Sequence, residues 1–207
     1  MHLFPRLNVY LTLAAALILS GCASTSPIKE IPPVAQEINQ QHIAKLAQIQ
    51  HFTLKGRLGV VTQKQGFSGG IDWQHALTSD NIEVYSPLGG KVASIVKSPT
   101  EVTLTTQEGH SVKAQDVESL TEMTLGWRLP LEGLSDWALG KPTKSKIDAS
   151  TWDEQGRLTT LKQDGWDISY ENYAENNGYL LPSKIVLKSE NVNLKLLVEK
   201  WSGIKVQ

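Results

Sequence analysis

The chain has 207 residues, 40% hydrophobic and 20% charged, with 16 Gly and 9 Pro. This is an ordinary globular composition that excludes collagen-like, coiled-coil and mostly disordered architectures and fits one domain. The 20 basic side chains against 21 acidic ones give a formal charge of -1; with no cationic excess to displace counterions from a phosphate backbone, nucleic acid is not expected as a partner.

The first segment sets the compartment. Met1 to Arg6 is a short basic start, Val9 to Leu19 is an apolar run, and the small residues Ser20 and Gly21 precede the only cysteine, Cys22. These three parts predict a secretory signal peptide over 1–21, and the run is too short for the roughly 20 apolar residues of a membrane-crossing helix. Leu19-Ser20-Gly21-Cys22 also resembles the bacterial lipobox. That resemblance implies a lipid on the Cys22 thiol and cleavage before it, and Ala23 in place of Asp after it implies the outer membrane. A single cysteine leaves no disulfide to form, and redox and thiolate-metal chemistry are excluded.

Residues 22–33 are expected to be the acylated cysteine and a flexible tether rich in Ser, Thr and Pro, ahead of one domain over 34–207. From Val34 to Gln50, Ala35, Ile38, His42, Leu46 and Ile49 recur at three- and four-residue steps, which predicts one amphipathic helix. From Phe52 the period becomes two. Ile82 and Val84, Val102 and Leu104, then Trp166, Ile168 and Tyr170, then Val192, Leu194, Leu196 and Val198 alternate with polar residues, as half-buried antiparallel strands do. Turn signals between them give a long meander, curled into a barrel or strongly curved sheet. Between Gln115 and Gly140 the rhythm breaks. Asp116 can cap a helix carrying Val117, Leu120 and Met123, and Pro130 suits the first turn of a second helix presenting Leu131, Leu134 and Trp137 before Gly140 ends it.

Motifs for chemistry are weak. Gly66-Phe67-Ser68-Gly69-Gly70 matches the nucleophile-elbow string, but the next residues, Ile71-Asp72-Trp73-Gln74, alternate like a strand, not a helix. Ser94-Ile95-Val96-Lys97 matches Ser-x-x-Lys within a strand and without its companion motifs. The histidines show no metal-ligand spacing, and no phosphate loop or dinucleotide fingerprint occurs. No catalytic residue, metal or cofactor is expected. The tryptophans, Trp73, Trp127, Trp137, Trp152, Trp166 and Trp201, are open to two readings: they pack a closed core, or they line an apolar cavity suited to acyl chains. In Ser86-Pro87-Leu88-Gly89-Gly90 the proline and glycines suit a tight turn, whereas nothing in turn chemistry asks for leucine at its apex.

The segment from Leu129 to Pro142, Leu-Pro-Leu-Glu-Gly-Leu-Ser-Asp-Trp-Ala-Leu-Gly-Lys-Pro, resembles the LolB family, as do the strand start Gly56-Arg57-Leu58, the Asp72-Trp73 strand and the Ser86-Pro87-Leu88-Gly89 turn, all in order after the lipobox. Members of this family receive lipoproteins from a periplasmic carrier and insert them into the outer membrane. The resemblance implies a mainly β fold with short helices, an open (incomplete) antiparallel β-barrel whose apolar concave face is partly covered by helices, with acyl chains held between. It places membrane insertion at Leu88 and lipidation at Cys22, and Trp73 and Trp137 near the cavity; Trp127, Leu134 and Trp166 join them from their apolar pattern. The implied partners are a LolA-like carrier, lipoprotein acyl chains and outer-membrane phospholipid, with the chain acting as a monomer. Without a nucleotide site, transfer must run downhill. The rival reading is an outer-membrane scaffold that moves no acyl chains.

Overall fold

A computed structural model of the chain describes residues 33–125 and 127–206. The expected signal peptide, Cys22 and all of the tether but Pro33 lie outside the described residues. Helix α1 (Pro33–Leu46) leads into strands β1 (Ile49–Thr62), β2 (Gly66–Ala76), β3 (Ser79–Tyr85), β4 (Lys91–Lys97), β5 (Val102–Thr106) and β6 (Ser111–Ala114). Helices α2 (Val117–Leu125) and α3 (Leu131–Ala138) come next, then β7 (Ile147–Trp152), β8 (Leu158–Gln163), β9 (Trp166–Asn176), β10 (Tyr179–Lys188) and β11 (Val192–Val206).

The strands form one antiparallel sheet of 11 strands in the order β6-β5-β4-β3-β2-β1-β11-β10-β9-β8-β7. Each hairpin follows the sequence, but the centre does not: the first and last strands pair, Leu58 opposite Leu196. The expected simple meander is therefore two meanders joined at their middle. The chain runs from the centre to the β6 edge, passes through α2 and α3 to the β7 edge, and returns. The two edges do not pair, so the architecture is an open antiparallel barrel with short helices over its apolar concave face.

Alternation decides which face curls inward. On β1, Leu54 and Val60 are buried and Leu58 half-buried, while Lys55 and Arg57 are exposed; each buried Leu or Val contributes about 1.5–3 kcal/mol. Glycine lets the backbones approach where the sheet bends. A side chain at Gly56, where the register to β11 shifts, would meet the Leu197 carbonyl oxygen at 2.0 Å, and one at Gly69 would meet the Tyr85 carbonyl oxygen at 1.9 Å.

The helices depart from expectation in detail. α1 ends at Leu46, and Ile49 already belongs to β1, because the sheet claims the backbone that the apolar spacing would continue as helix. Its buried face holds Asn39 and Leu46, with His42 and Ile43 half-buried, while Ile38 is exposed. The face is turned by one residue so that the Asn39 Nδ2 can donate to the Gly156 carbonyl at 2.7 Å. In α2, Asp116 caps as expected, accepting from the Ser119 backbone N–H at 2.7 Å. Val117 and Leu120 are buried, but Met123 is 66% exposed; Thr121 takes the inward position, its hydroxyl accepting from the Leu129 backbone N–H at 2.9 Å. Pro130 sits at the N-cap of α3 and not inside its first turn. Gly140 ends the helix at φ +80°, donating to the Trp137 carbonyl at 3.0 Å.

Candidate functional site

Between the β1–β5 and β11 wall and the segment that enters α3 lies a cavity of about 520 Å³. Inward positions of the sheet, among them Leu58, Ile82, Val84, Ile95 and Leu104, form one side; Trp127, Leu129 and Leu134 close over them. The lining is almost wholly aliphatic and aromatic, and its polar members are Thr62 and Thr106 at strand ends and Gln65 in the turn between β1 and β2. Such a space offers dispersion contact and exclusion of water but no convergent charge. Among the described residues no group of His, Cys, Asp and Glu could hold a metal.

Antiparallel pairing fixes where the cavity leads. The turns β1–β2 (residues 63–65), β3–β4 (86–90), β5–β6 (107–110) and β10–β11 (189–191) all fall at one end of the sheet. The cavity reaches that same end through Thr62, Gln65, Gly66 and Phe67. Leu88 crowns the β3–β4 turn there, 98% exposed. The turn is built to hold it out. Gly89 at φ +88° donates to the Ser86 carbonyl at 2.9 Å, and the Ser86 N–H donates to the Gly90 carbonyl at 2.7 Å.

The five residues expected at the cavity divide into two groups. Trp73, Trp127 and Leu134 line it. Trp73 is fully buried, and its indole N–H donates to Asp80 Oδ1 at 2.8 Å; the same oxygen lies 2.7 Å from His75 Nδ1, and Phe52 packs edge-on against Trp73 at 5.1 Å. Sequence reading missed Asp80. Its position, opposite His75 across the β2–β3 hairpin, is the signal that could have found it. Trp137 and Trp166 lie elsewhere, as a pair with centroids 6.4 Å apart. The Trp137 indole N–H donates to Gln163 Oε1 at 3.0 Å on β8, and the same Gln163 oxygen accepts the Thr143 backbone N–H at 3.0 Å. The Gln163 hydrogen bond ties Trp137, and with it the pair, to the β8–β9 side of the core. Trp137 and Trp166, expected at the cavity, are not among the residues that line it.

The strings read for nucleophiles fall within the sheet. Ser68 is exposed in the interior of β2, and Ser94 lies inside β4; neither stands on the strand-to-helix turn an elbow requires. Cys22 lies outside the described residues.

A model of the family described as outer membrane lipoprotein LolB matches residues 50–201. The chain belongs to the LolB family. It is 37% identical to the outer-membrane lipoprotein LolB of Nitrosomonas europaea over 195 residues, 92% of this chain and 91% of that one. It is 30% identical to that of Pseudomonas paraeruginosa, with 95% and 96% covered. Among solved structures, a LolA superfamily protein from Nitrosomonas europaea superposes with a TM-score of 0.47 at 9% identity, covering 84% of this chain and 93% of that one. The family match spans β1 to most of β11, so all of the cavity wall and the Leu88 turn lie inside it.

Proposed function

We propose that the cavity receives the acyl chains of lipoproteins from a LolA-like periplasmic carrier and that the Leu88 end of the barrel releases them into the inner leaflet of the outer membrane. Membership of the LolB family supports the localisation role. The observation that carries the site is the apolar cavity of about 520 Å³ opening toward the end that bears Leu88. Each methylene exposed to water costs about 0.8 kcal/mol, so a chain of about a dozen forfeits roughly 10 kcal/mol in crossing the periplasm unshielded. An aliphatic wall removes that cost without demanding one chain length. Handover breaks no covalent bond, so it calls for no catalytic group, and it runs from the weaker holder to the stronger and finally to the bilayer. One chain encloses the cavity, so a monomer suffices. Lipidation at Cys22 would keep the domain beside its target membrane.

A scaffold would gain nothing from leaving this volume unfilled, since voids cost packing energy. The test fills it. Ala93, half-buried in the wall, is replaced by tryptophan in the full chain, and transfer of a labelled lipoprotein from loaded carrier is followed together with thermal unfolding. Acceptance should fall steeply while the fold persists. Undiminished acceptance by a folded Ala93→Trp variant would remove the cavity from the transfer route.

A further inference from the structure

A second concavity lies on the convex side of the sheet, at the root of the Leu88 turn. Arg57 on β1, Gly70 on β2 and Tyr85 on β3 stand in one row across the sheet, Arg57 paired with Gly70 and Gly70 with Tyr85. The middle member has no side chain, so the outer layer has a gap. The resulting cleft, about 340 Å³, is bordered by Arg57, Asp72, Tyr85 and Glu199 and, on the turn itself, by Pro87 and Gly89.

Its charges are of both signs, and only some are spent. Lys55 Nζ meets Asp72 at 2.7 Å; Glu83 accepts the Tyr85 hydroxyl at 2.7 Å and Lys91 at 3.2 Å. The Glu83 hydrogen bond pushes the Tyr85 hydroxyl up to about 12, so it stays a neutral donor. Arg57 and Glu199 are exposed and form no ion pair among the described residues. One unpaired guanidinium and one unpaired carboxylate thus face a common gap.

Depth selects the occupant. Pro87 and Gly89 are the immediate neighbours of Leu88, each within about 3.8 Å of it along the chain trace. The polar headgroup layer of a bilayer is roughly 5–8 Å thick on each side. A turn whose leucine reaches the hydrocarbon boundary holds the Pro87–Gly89 rim of the cleft within the headgroup layer. It places the Arg57–Gly70–Tyr85 row, three residues behind Leu88 on β3, within about 10 Å of that boundary, where the long Arg57 side chain can reach back to a phosphate. We infer that the cleft binds the headgroup of a zwitterionic phospholipid, with Arg57 taking the phosphate in a forked contact and Glu199 taking the ammonium. The inference rests on the reading of Leu88 as the membrane-facing apex. Headgroup capture would orient the barrel mouth on the bilayer, a task that a single leucine, lacking directionality, cannot perform.

The test uses a soluble headgroup, so that neither the acyl cavity nor Leu88 contributes. The full acylated chain in maltoside micelles is titrated with glycerophosphoethanolamine, with glycerol 3-phosphate and with inorganic phosphate, and the backbone amide resonances of Gly70 and Tyr85 are followed. Saturable shifts with glycerophosphoethanolamine are expected. Arg57→Gln should weaken it about tenfold, and Glu199→Gln should weaken glycerophosphoethanolamine but not glycerol 3-phosphate. Both positions are exposed, and unchanged amide spectra elsewhere verify the fold. Equal binding of inorganic phosphate would make the cleft an anion site and overturn the headgroup assignment, as would the absence of any shift. The same titration on Leu88→Glu should be unaltered. Headgroup binding together with normal cargo insertion by Leu88→Glu would sink the reading of Leu88 and leave the cleft standing; loss of binding with Leu88 essential would do the reverse.

Discussion

Two buried tryptophans differ in what accepts their indole N–H and in what they face. Trp73 is tied to Asp80, a carboxylate 4% exposed, and faces the cavity; Trp137, 1% exposed, is tied to Gln163 and faces the core. Trp137→Ala should therefore cost about 3–5 kcal/mol in urea unfolding, yet leave acyl-chain affinity within a small factor in the folded fraction. A loss of affinity beyond the loss of folded protein would return Trp137 to the site. Asp80→Leu removes the acceptor while filling its space. The stranded indole N–H should cost about 1–3 kcal/mol, and Trp73 should gain freedom to rotate, seen as a fall in its fluorescence anisotropy. Sequence could not separate the two tryptophans. Leu134 and Trp137 are three residues apart on α3, which turns their directions by about 60°; that is enough to send one to the cavity and the other to β8, and no local pattern records it.

Elements were legible where their signals were local. The Leu88 turn carries its proline and glycines in sequence, and the period-two runs of β3, β5, β9 and β11 all form strands. The β1–β11 pairing that centres the sheet was not, since it joins residues such as Leu58 and Leu196 that only the whole fold brings together. The phase of α1 was also lost, because Asn39 is buried for a hydrogen bond and not for hydrophobicity. Docking of α1 has a pH signature. Burial, and then the Arg157 and Lys45 charges, hold the His42 pKa below its ordinary value of 6.5, with Asp153 opposing, and its Nε2 has no partner among the described residues. The unfolded chain then binds the proton more readily than the folded one. Stability should be intact above 6.5 and decline as pH falls from there toward the depressed folded value. His42→Gln should flatten that part of a pH series of urea midpoints; an unchanged slope would place the effect on other groups.

At the scale of the whole molecule, one end of the barrel gathers the cavity mouth, the Leu88 apex and the Arg57 cleft, while receiving and releasing make opposite demands. Receiving needs an apolar space closed to water; releasing needs contact with lipid. Placing Leu88 on a turn outside the cavity lets the two be altered separately, since the lining includes no residue of the turn. Burying one leucine contributes about 1.5–3 kcal/mol, enough to bias the mouth toward the bilayer and too little to anchor a protein. Leu88→Glu places a charge at an apex 98% exposed, where it is harmless in water and costly among acyl chains. The turn hydrogen bonds run through Ser86, Gly89 and Gly90, so the fold should be untouched. The variant should accept lipoproteins from the carrier at the normal rate and release them into liposomes slowly, accumulating loaded protein that a pull-down can count. Normal release would reduce Leu88 to an exposed turn residue, and a joint loss of acceptance and release would mean that the carrier, too, reads this turn.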